Sequence, residues 1–131
     1  MAKVPVRPKG QKQKVVGLRR GEIYLCVFDP TVGHEIKKTR PALVIQNDVG
    51  NRYSPLTIVA AVSSSISPVT YPVEVVIGPT PNNGVEVRSS IRLDQIRTVD
   101  RQRLVRRLGV VDPATMTKVD EAIKISLGLI G

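Results

Sequence analysis

A chain of 131 residues, 41% hydrophobic and 24% charged, has room for one domain with a modest core, and no stretch approaches the roughly 20 apolar residues of a membrane helix. Cys26 is the only cysteine, which excludes an internal disulfide and a Cys-based metal site and leaves a buried, inert thiol in a strand. Twenty basic residues against eleven acidic ones give a net charge of +9 and a pI near 10.2, the electrostatic footprint of a polyanion binder.

The charge is uneven along the chain. Lys3, Arg7, Lys9, Lys12 and Lys14 fall in the first sixteen residues, with no acid among them. The rest is only moderately basic. With two prolines, two glycines and no apolar period, residues 1–17 are expected to be a flexible basic arm, either a solvated tail or an RNA tether. The folded domain is expected over 18–131. No apolar signal region precedes it, so the expected location is cytoplasmic.

From Gly21 to Phe28 the chain reads as a strand, with Ile23, Leu25 and Val27 on one face and Tyr24, Cys26 and Phe28 on the other. Asp29-Pro30 closes it, because proline cannot donate to a ladder. Residues 31–39 are polar and read as an exposed loop. Arg40 to Gln46 is a second strand, with its proline near the start, where a missing donor is tolerated. Residues 47–55 (NDVGNRYSP) are dense in turn formers and read as a loop. Leu56 to Val62 is nearly continuous apolar sequence, which suits a central strand buried on both faces. Tyr71 to Ile77 is a further strand, 78–84 a turn, and Ser90 to Thr98 an alternating strand.

The period then changes. Asp100 is placed as an N-cap, and Arg101 to Leu108 reads as a short helix stopped by Gly109. Asp112-Pro113 repeats the start signal. Met116, Val119, Ile123, Leu127 and Ile130 follow at spacings of three and four, one face of an amphipathic helix packed on the sheet. The expected fold is mainly β with a C-terminal helix, a small barrel.

The residues limit the chemistry. His34 is the only histidine, so no pair of imidazoles can work within one chain. Cys26 and His34 do not make a zinc site, and no HExxH motif exists. Neither a metal nor another cofactor is expected. The simplest remaining nuclease chemistry uses the 2′-hydroxyl of RNA as nucleophile, with the protein positioning it and stabilising charge.

An ordered set of motifs carries a resemblance. Arg20-Gly21-Glu22-Ile23-Tyr24 is followed by Pro30, Gly33 and Glu35, then by Arg40-Pro41-Ala42-Leu43-Val44-Ile45-Gln46-Asn47-Asp48. Gly50-Asn51-Arg52-Tyr53-Ser54-Pro55, Ile58 to Ser63, Asp94 to Asp100, Arg103-Leu104 and the ending from Val119 to Leu129 complete it. From Arg20 to Ile130 the chain resembles the MazF/PemK family of toxin ribonucleases. The resemblance implies an SH3-like barrel of the MazF/PemK/CcdB-like kind, a homodimer, and sequence-specific cutting of single-stranded RNA. It also implies 2′,3′-cyclic phosphate and 5′-hydroxyl ends, and a MazE-like antitoxin that binds through a disordered segment.

Residue by residue, the resemblance puts the catalytic arginine at Arg40 and the catalytic hydroxyl at Ser63, where threonine is frequent in the family. Ser64 and Ser65 are register alternatives. A guanidinium does not readily release its proton, so Arg40 is read as a clamp on the phosphoryl oxygens, and as a candidate donor to the leaving 5′-oxygen. Gln95 is a base or ribose contact. Arg97 either anchors phosphate or caps the structure. Asn47 and Arg52, with Asp48, either touch RNA or shape their turn. Glu35 organises the first loop and counts among the RNA-binding candidates, and Lys37 and Lys38 steer RNA. His34 is read as a solvated loop residue. Two rival readings are a gyrase-poisoning toxin on the same fold and a non-catalytic RNA-binding module.

Overall fold

The structure, a computed structural model, describes residues 17–69 and 71–130. All of the expected basic arm except Gly17 lies outside the described residues. Among the described residues, six strands form one antiparallel sheet: β1 (Glu22–Val27), β2 (Thr39–Val44), β3 (Leu56–Ser63), β4 (Glu74–Ile77), β5 (Ser89–Asp100) and β6 (Leu104–Val110). Two helices accompany them, α1 (Asp48–Tyr53) and α2 (Pro113–Ser126). The strand order is β4-β5-β3-β2-β1-β6.

The apolar pattern divides between two cores, one on each face of the sheet. Val59 and Ala61 of β3 join one cluster and Ala60 and Val62 the other, so the central strand is buried on both sides. β1 divides the same way, with Ile23 in one cluster and Tyr24, Cys26 and Phe28 in the other. Helix α2 covers the cluster of Ile23, Ala60 and Val62 through the buried Val119 and Ala122, assisted by Met116 and Ile123. Asp112 caps it, with Oδ1 accepting the Thr115 N–H at 2.7 Å, and Pro113 opens it as expected. The stripe does not run to its expected end. The helix stops at Ser126, Gly128 turns with φ +73°, and Leu127 and Ile130 are left exposed.

Two expected elements are corrected. Residues 101–108 are not a helix. Asp100 does cap a turn, its Oδ1 accepting the Gln102 N–H at 2.8 Å, but the turn is a 3-10 one over Arg101–Arg103. The chain then becomes β6 and pairs along β1. The β1–β6 register shifts twice, which scrambles the alternation that would have betrayed a strand. Gly109 is accordingly no helix stop. The second correction is α1, which occupies residues read as a loop. Asn47 caps it by accepting the Gly50 N–H at 2.8 Å, and six residues are too few for a helical period to show.

Among the described residues no ladder joins the edge strands β4 and β6. The turn 78–84 spans the gap between them. Val110 N–H donates to the Asn82 carbonyl at 2.8 Å, and Gly84 lies on the Leu108 backbone. The sheet therefore curls on itself, as the expected barrel requires. At Gly84 φ is +70°, and a Cβ there would stand 2.1 Å from the Leu108 carbonyl oxygen. Gly84→Ala is expected to cost at least about 3 kcal/mol, from the left-handed backbone and a clash with main chain that cannot rotate away. Gly78→Ala, with nothing within 4 Å of its Cβ, is the control. Equal urea midpoints for the two variants would refute this account.

Candidate active site

Arg40 is the second residue of β2, paired across to Cys26 of β1. Ser63 ends β3 and pairs with Ser90 of β5. The β2–β3 register matches Ala42 to Ala61, and continuing it two residues sets Arg40 against Ser63. Antiparallel pairing thus brings the two expected catalytic residues to one end of neighbouring strands. Arg40 is exposed, with Nε donating to the Lys37 carbonyl at 3.4 Å. Ser63 is half-buried, and its Oγ accepts the Ser65 N–H at 3.1 Å. A cleft of about 260 Å³ is lined here by Arg40, Pro41, Ser64, Glu86, Ser89 and Arg106. It is Ser64, the register alternative, and not Ser63, that lines this cleft. A larger cavity of about 540 Å³ lies at the seam of β4 and β6, but Asp112 is the only charged residue in its wall. That wall does not suit a polyanion.

The loop from Asp29 to Lys38 belongs to the same end of the sheet. Glu35 organises it as expected, with Oε1 accepting the Val32 N–H at 2.6 Å. Gln95 reaches it from β5, where Oε1 accepts the Ile36 N–H at 3.5 Å. Lys37, Lys38 and His34 are exposed. Lys38 holds φ 67°, a conformation that side chains with a Cβ rarely adopt and that occurs where a site is held under strain. Arg97 Nη1 donates to the Phe28 carbonyl at 2.7 Å, with its guanidinium over the Phe28 ring.

Asn47 and Arg52 are not brought to this end. They cap and form α1, which follows the opposite end of β2, and the four steps from Arg40 to Val44 alone span roughly 13 Å. Asn47 is a cap, and Arg52 stacks on Tyr53 with 5.2 Å between guanidinium and ring centroid. Much of the quoted motif around them is structural. Asn51 is buried and takes the Thr57 hydroxyl at 2.8 Å, while its Nδ2 donates to the Gln46 carbonyl at 2.9 Å. Arg20 ties Asp120 of α2 (2.6 Å) to the Ile45 carbonyl (2.8 Å).

Arg103 and Arg106 were not singled out from the sequence. Arg103 entered only through the Arg103-Leu104 motif, and both lie in the segment read as a short helix. Burial pushes the Cys26 thiol up to about 11, with Arg103 and Arg97 opposing, so at neutral pH it is a protonated, inert thiol. Among the described residues no three His, Cys, Asp or Glu side chains are grouped to hold a metal ion, and no helix is long and apolar enough to cross a membrane.

A family profile described as PemK-like, MazF-like toxin of type II toxin-antitoxin system matches residues 19–127. The Endoribonuclease EndoA of Bacillus subtilis (strain 168) is 47% identical over 113 residues, covering 86% of this chain and 97% of that protein. The crystal structure of MazF (Form-I) from Deinococcus radiodurans superposes with a TM-score of 0.72 at 27% identity, over 85% of this chain and 96% of that one. A mycobacterial endoribonuclease in complex with its cognate antitoxin gives a TM-score of 0.70 at 26% identity, over 87% and 98%. With a family match across most of its length, a relative identical at 47% of aligned residues and a fold shared with a solved MazF structure, this chain belongs to the PemK-like, MazF-like toxin family of type II toxin–antitoxin systems.

Proposed function

We propose that the protein is a sequence-specific, metal-independent endoribonuclease that cuts single-stranded RNA in the cytoplasm through the substrate's own 2′-hydroxyl. This reading is supported by the β2–β3 register, which, continued two residues past its last pair, sets Arg40 and Ser63 at one end of adjacent strands, beside an exposed basic loop, in a domain of this family. The 2′-oxygen attacks phosphorus, the bond from phosphorus to the 5′-oxygen breaks, and the ends are a 2′,3′-cyclic phosphate and a 5′-hydroxyl. The 2′-hydroxyl gives up a proton and the 5′-oxygen takes one.

Arg40 donates to the non-bridging oxygens as negative charge builds, and is placed to donate to the leaving oxygen. Ser63 accepts the Ser65 N–H, which leaves its own hydroxyl proton for the phosphate. Lys37 and Lys38 attract the backbone, and Gln95, beneath the loop, contacts base or ribose. Arg97 serves the loop, and Asn47 and Arg52 serve α1. The active form is a homodimer, neutralised by a MazE-like antitoxin whose disordered segment folds along the toxin. The solved mycobacterial complex with a cognate antitoxin supports such a partner.

The test is incubation with long single-stranded RNA in EDTA, with the cut ends mapped. Discrete cuts bearing 5′-hydroxyl ends are expected. RNA left intact across several diverse substrates would overturn the reading in favour of a gyrase poison or a passive RNA-binding module, which a supercoiling assay and a salt-dependent binding assay would separate.

A further inference from the structure

Three consecutive carbonyls at the end of β1 are each taken by an arginine from a distant part of the chain. Arg103 Nη1 donates to Val27 at 3.0 Å and to Asp29 at 2.5 Å. Arg97 Nη1 donates to Phe28, between them, at 2.7 Å, and its guanidinium lies 5.7 Å from the Phe28 ring centroid. These carbonyls stand where the chain leaves the sheet to begin the loop that ends at Arg40. The loop's return is tied to the same residues. Phe28 N–H donates to the Lys38 carbonyl at 2.9 Å, and Lys38 N–H to Asp29 Oδ1 at 2.9 Å. Arg40 Nε in turn reaches the Lys37 carbonyl.

We propose that Arg103, with Arg97 beside it, is a positioning residue: it fixes the root of the loop 29–38, and through it the RNA word recognised and the setting of Arg40. The proposal rests on the endoribonuclease reading. The residue type follows from the geometry. A planar guanidinium can serve two carbonyls two residues apart from a fixed position, whereas a lysine ammonium is a mobile point donor on a flexible stem. Contacts that place a catalytic group matter far beyond their own strength, because a displacement of about 1 Å can cost a hundredfold in rate.

The test compares wild type, Arg103→Ala and Arg103→Lys on a long RNA carrying one preferred site and several near matches. Partial unfolding lowers all cuts alike and leaves their ratio unchanged, so the ratio of preferred to near-match cleavage is the diagnostic quantity. In Arg103→Ala this ratio should fall at least about tenfold, hydrogen exchange at the Lys38 and Ile36 amides should quicken, and Arg103→Lys should recover part of both. If Arg103→Ala does not fold, Arg103→Lys carries the same two readouts against wild type. An unchanged cleavage ratio would overturn the proposal even if the amides exchange faster, since Arg103 would then be a fold residue only. If wild type cuts no RNA, the endoribonuclease reading fails by itself, and the amides decide the clamp: unchanged exchange in the variant removes it.

Discussion

Arg40→Ala should lower RNA cleavage by roughly 10²–10³-fold, the loss seen when one preorganised donor to a developing oxyanion is removed. The fold should hardly notice. Arg40 is exposed, and the hydrogen bond its side chain makes among the described residues, to the Lys37 carbonyl, is long at 3.4 Å. A change in stability within about 0.5 kcal/mol is expected, as for surface substitutions away from packing. The contrast between a large rate effect and a small stability effect separates a transition-state clamp from a structural arginine such as Arg20, which joins α2 to the end of β2. Arg40→Lys should fall between the two, because an ammonium keeps the charge and loses the bidentate fork. Single-turnover rates on a short RNA with one site would measure this. Cleavage by Arg40→Ala within about threefold of wild type would remove Arg40 from the chemistry.

A single 2′-deoxy nucleotide on the 5′ side of the scissile phosphate should abolish cutting at that position while leaving binding almost intact. The substitution removes the nucleophile itself. The phosphates that meet Lys37, Lys38 and Arg40 are unchanged, so the oligonucleotide should compete with substrate as an uncut inhibitor. This arm does not depend on any side-chain assignment. Cleavage of the deoxy substrate would show that an outside nucleophile attacks, and the proposed mechanism would fall whatever Arg40 contributes.

Several features were legible because they are local. Alternating or continuous apolar residues marked β1, β2 and β3, and the punctuation of Asp29-Pro30 and Asp112-Pro113 marked where one strand ends and α2 begins. The order of the motifs sufficed for the family, since it spans most of the chain. Arg40 and Ser63 could be named as a pair from the same motifs, and the antiparallel register of β2 and β3 gives that pairing a physical basis.

What the sequence by itself determined, then, is what short-range pattern and ordered motifs encode: the buried strands, the capped C-terminal helix and the family, with Arg40 and Ser63 as its candidate pair. Tertiary structure decided the rest, because the deciding partners are far away in sequence. Residues 104–110 became a strand because β1 offered a free edge more than seventy-five residues earlier, and two register shifts hid the alternation. Asn47 and Arg52 lie away from Arg40 because α1 follows the other end of β2. Arg97 and Arg103 took up the carbonyls of Phe28, Val27 and Asp29 across about seventy residues of chain. An arginine's sequence neighbours say that it is charged. Only the folded backbone says whether a carbonyl or a phosphate lies within its reach, since an unpaired polar group away from water is costly enough to claim the nearest partner.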